Sequence, residues 1–343
     1  MNHRRVIIIN PNTRVLNRLM GNSVDKPPNL NIIMAFAAKY IGVNYKKYVT
    51  DYRYLVDGNI RCCEDFGIDM VSAISDPVRE TYDLGANVTL PEDDVPYCAD
   101  PILKDYSELR ELEVVKPENG KRMNDRLKAI RLYKEKVVDY YPVLGWIEGP
   151  MALASNLRGV IKVMEDFYEA PDLLSNLLEF CYRQQVLFAK AQVNAGADFI
   201  GIGDAVCSLI GPNRYKKYAL PWEKKIIEEV HDLGAKVKLH ICGDVTPLLE
   251  HLPETKADII DVDWMVNFKD AAEVFNGKCS LCGNFDPVRV LRNGTPDQIR
   301  LATKECVKMG DATTFIAAGC EVPKETPEEN LLAVKDALEE LKS

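Results

Sequence analysis

The feature that most constrains the fold is a regular alternation of short apolar runs with amphipathic stretches, which begins near Asp69. Between most of the runs lie helical patterns with readable starts, such as Thr295-Pro296 with Gln298 in capping-box register and Thr326-Pro327 with Glu329. Apolar strands that alternate with helices and are covered on both faces predict a parallel sheet. The runs predicted to be strands are residues 69–75, 143–149, 197–204, 236–244, 257–265, 279–287 and 313–320.

The number of predicted strands favours one parallel architecture over another. These strands, with an eighth that the sequence does not place, fit an α/β fold of the (β/α)₈ TIM-barrel type. No glycine-rich phosphate loop follows the first strand, as a dinucleotide-binding fold would require. Residues 1–65 predict a mainly helical N-terminal elaboration, and the polar, proline-dotted stretch near 90–122 predicts a long excursion that forms part of a lid. We therefore expect residues 1–343 to form one domain, with the barrel over 66–343.

Composition limits the partners and the compartment. The net charge is −9 and the pI is about 5.2, so neither nucleic acid nor an anionic membrane surface is an expected partner. The apolar run near the N-terminus, residues 6–9, is too short for a signal peptide, and no window approaches a membrane span. We expect a cytoplasmic protein, in which the 10 scattered cysteines indicate metal ligation or burial rather than disulfides.

The predicted strand "KVKLHICGD" (236–244) carries the most specific chemical signal. His240 and Cys242 are two residues apart and so share one face near the carboxyl end of the strand. Cys320 occupies the corresponding place on the last predicted strand. Active sites of such barrels lie at that end, and one nitrogen with two sulfurs leaves a fourth position open, as in catalytic zinc sites. The alternative is a hydrogen-bonded core histidine with buried thiols, and the pattern alone does not decide between the two.

Other candidate groups are less specific. Cys279 and Cys282 form a CxxC, but an odd spacing on a strand points the thiols to opposite faces, so packing is favoured. Carboxylates near strand ends are candidates for a fourth metal ligand, a proton carrier or a partner that orients His240, and at least half of them are expected to be structural instead. These carboxylates are Asp76, Glu148, Asp204, Asp244, Asp261 and Asp263.

Several segments, in order, resemble the uroporphyrinogen decarboxylase superfamily. They include "GPMALASNLRG" (149–159), "GADFIGIGD" (196–204), "IIDVDWMV" (259–266) and "CGNFDPV" (282–288). "HIC" followed by "AAGCEVP" is similar to the H-x-C-x(n)-C zinc signature of the methylcobamide:coenzyme M methyltransferase branch.

The resemblance implies a (β/α)₈ barrel in which Zn²⁺ is held by His240, Cys242 and Cys320. It implies a corrinoid-dependent methyltransferase that acts on a small thiol or methylated substrate. The methylcobamide would be a co-substrate carried by a small corrinoid-binding protein, and a homodimer is possible because relatives often are dimers. Within this hypothesis the candidate catalytic residues are Asp263, Glu148 and Asp76, and the candidate substrate-binding residues are Asn284, Asp204 and Asp261.

Two alternatives remain open from sequence. Asp76 aligns with the acidic residue that the true decarboxylases place against a tetrapyrrole, but the chain lacks their R-Q-A-G-R signature, and Arg14 and Arg18 lie in a different context. A polycarboxylate substrate needs a cationic pocket. A non-catalytic zinc-binding member of the family is the other alternative. The sequence fixes neither the direction of methyl transfer nor the choice between coenzyme M and a tetrahydrofolate-type acceptor.

Overall fold

A curled parallel sheet forms the centre of the protein in the computed structural model, which describes residues 9–342. Its strands are hydrogen-bonded in the order β1-β4-β5-β6-β7-β8-β9, and each neighbouring pair is parallel. The seven predicted strands are thus confirmed, with somewhat shorter bounds. The strands are β1 (Val71–Ser72), β2 (Asn87–Thr89), β3 (Tyr97–Asp100), β4 (Val143–Glu148), β5 (Phe199–Gly203), β6 (Lys236–Ile241), β7 (Ile259–Val262), β8 (Ser280–Phe285) and β9 (Phe315–Ala318).

Residues 28–32 close the ring between its two edge strands. Asn29 forms a parallel bridge with Ile316 of β9, and the Leu30 amide donates to the Ile316 carbonyl at 2.8 Å. On the other side, the Asp69 amide donates to the Asn29 carbonyl at 2.8 Å. The position that the sequence did not place therefore lies inside the region that was predicted to be mainly helical. Its sequence, "PNLNI", alternates apolar and polar residues over only five positions directly after Pro27, and it is held by hydrogen bonds to both edges.

Helices surround the sheet and precede it. The capping box predicted at Thr295 is present, whereas α14 begins after Pro327 and Thr326 makes no capping hydrogen bond, so that predicted cap was wrong. The helices are α1 (Pro11–Leu19), α2 (Ala35–Tyr40), α3 (Tyr45–Thr50), α4 (Tyr52–Phe66), α5 (Arg79–Asp83), α6 (Lys121–Val137), α7 (Pro150–Arg158), α8 (Val160–Glu169), α9 (Pro171–Asn194), α10 (Gly211–Arg214), α11 (Leu220–His231), α12 (Phe268–Phe275), α13 (Pro296–Met309) and α14 (Glu328–Glu339). Short 3₁₀ turns (Glu108–Arg110, Ala205–Leu209, Thr246–Leu248, Leu252–Thr255) and π-turns (Tyr215–Ala219, Pro287–Arg292) connect them.

The excursion predicted near 90–122 begins directly after β2, contains β3, which pairs with β2 in an antiparallel hairpin, and ends where α6 begins at Lys121. Within the described residues no helix has the length and apolar character needed to cross a membrane.

Alternation along the strands separates two apolar layers. Inward-facing residues such as Leu144, Phe199 and Phe315 form a small core inside the barrel, and the next residues along each strand pack against the helices. The same alternation places Lys238 and His240 of β6 on the inner side. The carboxyl end of the barrel interior thus contains polar side chains from strands whose outward-facing residues are all apolar.

Candidate active site

Three metal-ligating side chains meet at the carboxyl end of the barrel. His240 is the fifth residue of β6, Cys242 follows that strand, and Cys320 lies two residues beyond β9. The His240 Nε2 atom is 3.1 Å from the Cys242 sulfur, and the two sulfurs are 3.9 Å apart. One donor atom from each of the three residues lies within 4.8 Å of the others. The structure therefore brings together the three residues that were predicted as metal ligands.

Two glycines allow this approach. Gly243 has φ of +92°, a left-handed conformation that turns the chain directly after Cys242. Gly319 precedes Cys320, and a Cβ atom there would lie 2.2 Å from the Trp264 amide nitrogen. Only glycine permits the end of β9 to pack this closely on the backbone after β7. This close packing places Cys320 near His240.

The backbone of β7 fixes the orientation of His240. Its Nδ1 atom is 3.1 Å from the carbonyl oxygen of Asp261 and 3.6 Å from a carboxylate oxygen of the same residue. A carbonyl oxygen only accepts hydrogen bonds, so Nδ1 carries the proton and donates. Nε2 then faces the two thiols and would offer its lone pair to a metal ion on release of its proton, which is the usual arrangement of a metal-binding imidazole. Asp261 itself forms a buried ion pair with Lys238.

Electrostatics favour one thiolate in this group. Hydrogen bonds from Cys242 and His240, acting against burial, hold the pKa of the Cys320 thiol well below its usual range. The hydrogen bond to Cys320 and burial raise the pKa of Cys242 well above its usual range. Burial alone would lower the pKa of His240, but the hydrogen bond to Cys320 and the charge of Asp261 raise it to about 9. A divalent cation would replace the shared protons that stabilise this thiolate.

The donor set fits a zinc ion. Two sulfurs bound tetrahedrally to one Zn²⁺ at about 2.3 Å lie about 3.8 Å apart, close to the observed 3.9 Å. Nitrogen and thiolate ligands are those that zinc prefers, and three protein ligands leave one position for a substrate atom.

A pocket of about 280 Å³ adjoins the three donors. Trp146 forms one wall, and it packs over Gly201 and Gly203, where added Cβ atoms would lie 2.1 Å and 3.0 Å from its ring. The lining consists of apolar residues, three carboxylates and the three donors: Ile32, Met34, Ile74, Asp76, Pro77, Trp146, Glu148, Gly203, Ala205, His240, Cys242, Cys320 and Glu321.

Two of the predicted catalytic carboxylates line this pocket. Asp76 pairs with Arg122 and accepts a hydrogen bond from the Ser75 hydroxyl at 2.7 Å. Burial opposes ionisation of Asp76, but the charge of Arg122 prevails and the pKa lies below its usual range. Glu148 pairs with Arg79 at 3.1 Å. Burial outweighs that pairing and raises the pKa of Glu148.

Asp263, the other predicted catalytic residue, holds the turn beside Cys242. One carboxylate oxygen accepts from the Gly243 amide at 2.6 Å and the other from the Trp264 amide at 2.6 Å. Burial raises the pKa of Asp263 above its usual range, although the Gly243 amide opposes this. The contacts place Asp263 next to the donors without making it part of the pocket lining.

The predicted substrate-binding residues lie behind the pocket. The Asp204 carboxylate accepts from the amides of Ala152 at 2.7 Å and Met151 at 3.4 Å, and so caps α7. The Asn284 amide nitrogen donates to carbonyl oxygens of Asp263 at 3.0 Å and Val266 at 2.7 Å. Together with Asp261, these side chains support the backbone around the donors and do not line the pocket.

Two features were not found from the sequence. Glu321 lines the pocket next to Cys320, and burial raises its pKa to about 8. A buried cluster of Asp204, Cys207 and Glu223 has donor atoms within 4.8 Å of one another. The Tyr215 hydroxyl donates to Glu223 at 2.6 Å, and the cluster does not border the pocket.

The CxxC was predicted to consist of packing residues. Cys282 is fully buried in the inner core of the barrel, and Cys279 is partly buried. Neither belongs to a possible metal-binding group of the described residues.

Comparison with known proteins identifies relatives. The chain is 36% identical to methylcobamide:CoM methyltransferase MtbA of Methanosarcina mazei over 212 residues, which is 61% of each protein. It is 34% identical to MtbA of Methanosarcina acetivorans over 232 residues, 67% of each. The match spans about three fifths to two thirds of these curated relatives. A solved structure of a methyltransferase from Methanosarcina mazei superposes with a TM-score of 0.89 at 26% identity, covering 98% of this chain and 100% of the other.

The fold and the resemblance predicted from sequence are confirmed by these comparisons. The uroporphyrinogen decarboxylase (URO-D) family matches residues 10–341. Because that match spans nearly the whole chain, the protein belongs to the uroporphyrinogen decarboxylase family.

Proposed function

We propose that this protein is a corrinoid-dependent methyltransferase that binds Zn²⁺ through His240, Cys242 and Cys320 and moves a methyl group between a methylcobamide and a small thiol. The observation that carries the proposal is the convergence of one imidazole nitrogen and two sulfurs within 4.8 Å at a pocket. The named activity of the curated relatives supports it.

A zinc ion at these residues would supply a Lewis acid that keeps a substrate sulfur deprotonated at neutral pH. The protein would contribute orientation. The Asp261 carbonyl holds the Nδ1 proton of His240 and so keeps Nε2 available, while Asp263 fixes the turn that carries Cys242. Apolar pocket walls exclude water from the sulfur, which strengthens its interactions with charged groups.

The transfer balances without a further reactant. The substrate thiol would release its proton to solvent, its sulfur would form a bond to the methyl carbon, and the cobalt–carbon bond would break with both electrons remaining on cobalt. The methylated corrinoid would arrive on a small partner protein. The reverse transfer, from a methylated substrate to reduced corrinoid, would use the same residues.

Tetrapyrrole decarboxylation is less well supported. Asp76 lines the pocket, as that reaction would require, but Arg122 already pairs with it. The pocket of about 280 Å³ is smaller than pockets for drug-sized ligands, whose volumes are about 300–1,000 Å³, and a tetrapyrrole is larger still. Arg14 pairs with Asp25 and Asp69, away from the pocket, so it offers no charge to substrate carboxylates.

Metal analysis and a demethylation assay test the proposal. Protein purified with zinc under reducing conditions should contain about one Zn²⁺ per chain, and a Cys320→Ser variant should lose most of it. Cys98→Ser is the matched control, because Cys98 lies in the β2–β3 hairpin and belongs to no possible metal-binding group of the described residues. The zinc-loaded protein should demethylate methylcobalamin in the presence of a thiol, and the Cys320 variant should not.

Absence of zinc from folded parent protein would refute the metal site. Zinc binding without demethylation by any thiol would instead leave a metal-binding protein and contradict the methyltransferase assignment. Turnover of uroporphyrinogen by the zinc-free protein would favour decarboxylation.

A further inference from the structure

Among residues 9–342, the pocket beside the three donors is lined by carboxyl groups and by no basic side chain other than His240. Asp76, Glu148 and Glu321 contribute to this lining, in which no described residue is an arginine or a lysine. The basic residues near it, Arg79, Arg122 and Lys238, are buried and already paired with carboxylates. The groups that this pocket presents to a ligand are therefore carboxyl groups, and no cationic side chain of the described lining is free to pair with an anion.

Asp76 is not such a group. It pairs with Arg122, and it also accepts hydrogen bonds from the Ser75 hydroxyl and, at 3.2 Å, from the Val78 amide. These contacts satisfy both of its oxygens, so Asp76 needs nothing from a ligand.

Glu148 and Glu321 are incompletely satisfied. Arg79 is shared between Glu148 at 3.1 Å and Glu80 at 3.5 Å, so one guanidinium serves two carboxylates. The second carboxylate oxygen of Glu148 accepts no hydrogen bond from the described part of the chain. In Glu321, Oε2 is buried and has no hydrogen-bond partner among residues 9–342. A buried acceptor without a partner destabilises the free protein, and a ligand that donates to it removes that cost.

We infer that the substrate carries hydrogen-bond donors, foremost an ammonium group, at the end remote from its reacting sulfur. This inference rests on the proposed function and adds the chemical class of the thiol. An ammonium group would donate to the free oxygens of Glu321 and Glu148. A sulfonate or carboxylate offers only acceptors and would find no arginine or lysine in the described lining to donate to it, so the loss of its hydration would not be compensated. Coenzyme M, named in the curated relatives, is 2-mercaptoethanesulfonate, so the inference separates this chain from them.

Three thiols with the same two-carbon spacer test the inference: 2-aminoethanethiol, 2-mercaptoethanol and 2-mercaptoethanesulfonate. With zinc-loaded protein and methylcobalamin, kcat/KM should decrease in that order. The amine should exceed the sulfonate at least about tenfold, the effect of one charge-assisted hydrogen bond. Calorimetric titration of the methylated products, 2-(methylthio)ethylamine and 2-(methylthio)ethanesulfonate, into the same protein should show the same preference without turnover.

Variants separate the pocket from the intrinsic reactivity of the thiols. Glu321→Gln and Glu148→Gln should each reduce the amine-to-sulfonate ratio several-fold, and intrinsic thiol reactivity cancels in that comparison. Glu305→Gln, an exposed glutamate on α13, is the matched control and should leave the ratio unchanged.

The inference is overturned if the parent protein prefers the sulfonate, or if the preference for the amine survives both pocket substitutions. In either case, demethylation itself would still support the methyltransferase function. No demethylation with any of the thiols, with bound zinc verified, contradicts the proposed function instead.

Discussion

The ion pair between Lys238 and Asp261 lies below the metal donors and should be strongly coupled. The two residues are on the inner faces of neighbouring strands and are 1% and 2% exposed. Asp261 Oδ1 has no hydrogen-bond partner in the described residues, so Lys238 is the main compensation for the charge. The carbonyl of Asp261 also orients His240. The pair therefore connects the stability of the barrel interior to the geometry of the site.

Removal of either partner should be much more damaging than removal of both. Lys238→Met leaves a buried carboxylate without a cation, and Asp261→Asn leaves a buried ammonium without an anion. Each change should lower the free energy of unfolding by about 3–5 kcal/mol. The double variant carries no buried charge, and its remaining amide should cost only about 1–3 kcal/mol. The single effects sum to about 6–10 kcal/mol, so the coupling energy should exceed about 3 kcal/mol.

Urea unfolding at pH 7, followed by far-ultraviolet circular dichroism, gives the free energy of unfolding of the parent, the two single variants and the double variant. The exposed pair of Lys269 and Glu273, 3.8 Å apart on α12, is the control. The corresponding cycle of Lys269→Met and Glu273→Gln should give a coupling energy of about 0–0.5 kcal/mol. Additivity of the Lys238 and Asp261 effects within about 0.5 kcal/mol would refute the reasoning, because it would mean that the two charges do not compensate each other.

Three further predictions concern residues around the pocket. Asp204→Ala should lower stability by about 1–2 kcal/mol through loss of the α7 cap while zinc content stays unchanged; a raised KM for the thiol with unchanged stability would show the substrate-binding role predicted from sequence. Burial raises the pKa of Glu223, so the folded protein retains a proton that the unfolded chain releases, and stability should fall as pH rises above the unfolded value of about 4.3. Glu223→Gln should flatten that decrease in thermal melts, and an unchanged slope would contradict the assignment. Gly201→Ala would place a Cβ atom 2.1 Å from Trp146, so it should cost about 1–3 kcal/mol and weaken thiol binding, as calorimetry would show.

The sequence was most informative where one periodicity determined the geometry. His240 and Cys242 share a face because strand residues alternate, and Cys320 joins them because carboxyl ends of parallel strands meet at one end of a barrel. Both rules act through backbone geometry that is the same in every such protein. The orientation of the His240 ring, by contrast, depends on a backbone carbonyl of the adjacent strand, which the sequence of β6 does not contain.

The roles of carboxylates were harder to predict because they depend on neighbours remote in sequence. Asp204 follows β5 and would face the pocket by position alone. Its carboxylate instead lies beside the start of α7, because Gly149 has no side chain there. A Cβ atom at position 149 would lie 2.2 Å from the Asp204 carboxylate. The closing segment at 28–32 was missed for a similar reason. It is extended because Asp69 and Ile316 provide hydrogen-bond partners on its two sides, and its own alternation of apolar and polar residues is only five residues long and directly follows Pro27.

The unsatisfied acceptors of the pocket have opposite consequences for stability and for binding. A buried oxygen of Glu321 without a partner destabilises the free protein, and the same oxygen is the group that a donating ligand would engage. Burial raises the pKa of Glu321, so ionisation of this group disfavours the folded protein. Glu321→Gln cannot ionise, and the free variant should therefore be at least as stable as the parent, as is common for substitutions of functional groups. An amine ligand should raise the melting temperature of the parent more than that of the variant, because ligand stabilisation follows affinity. A variant that melts well below the parent would show that Glu321 supports the fold rather than the ligand, and the argument from unpaired carboxylates would then fail.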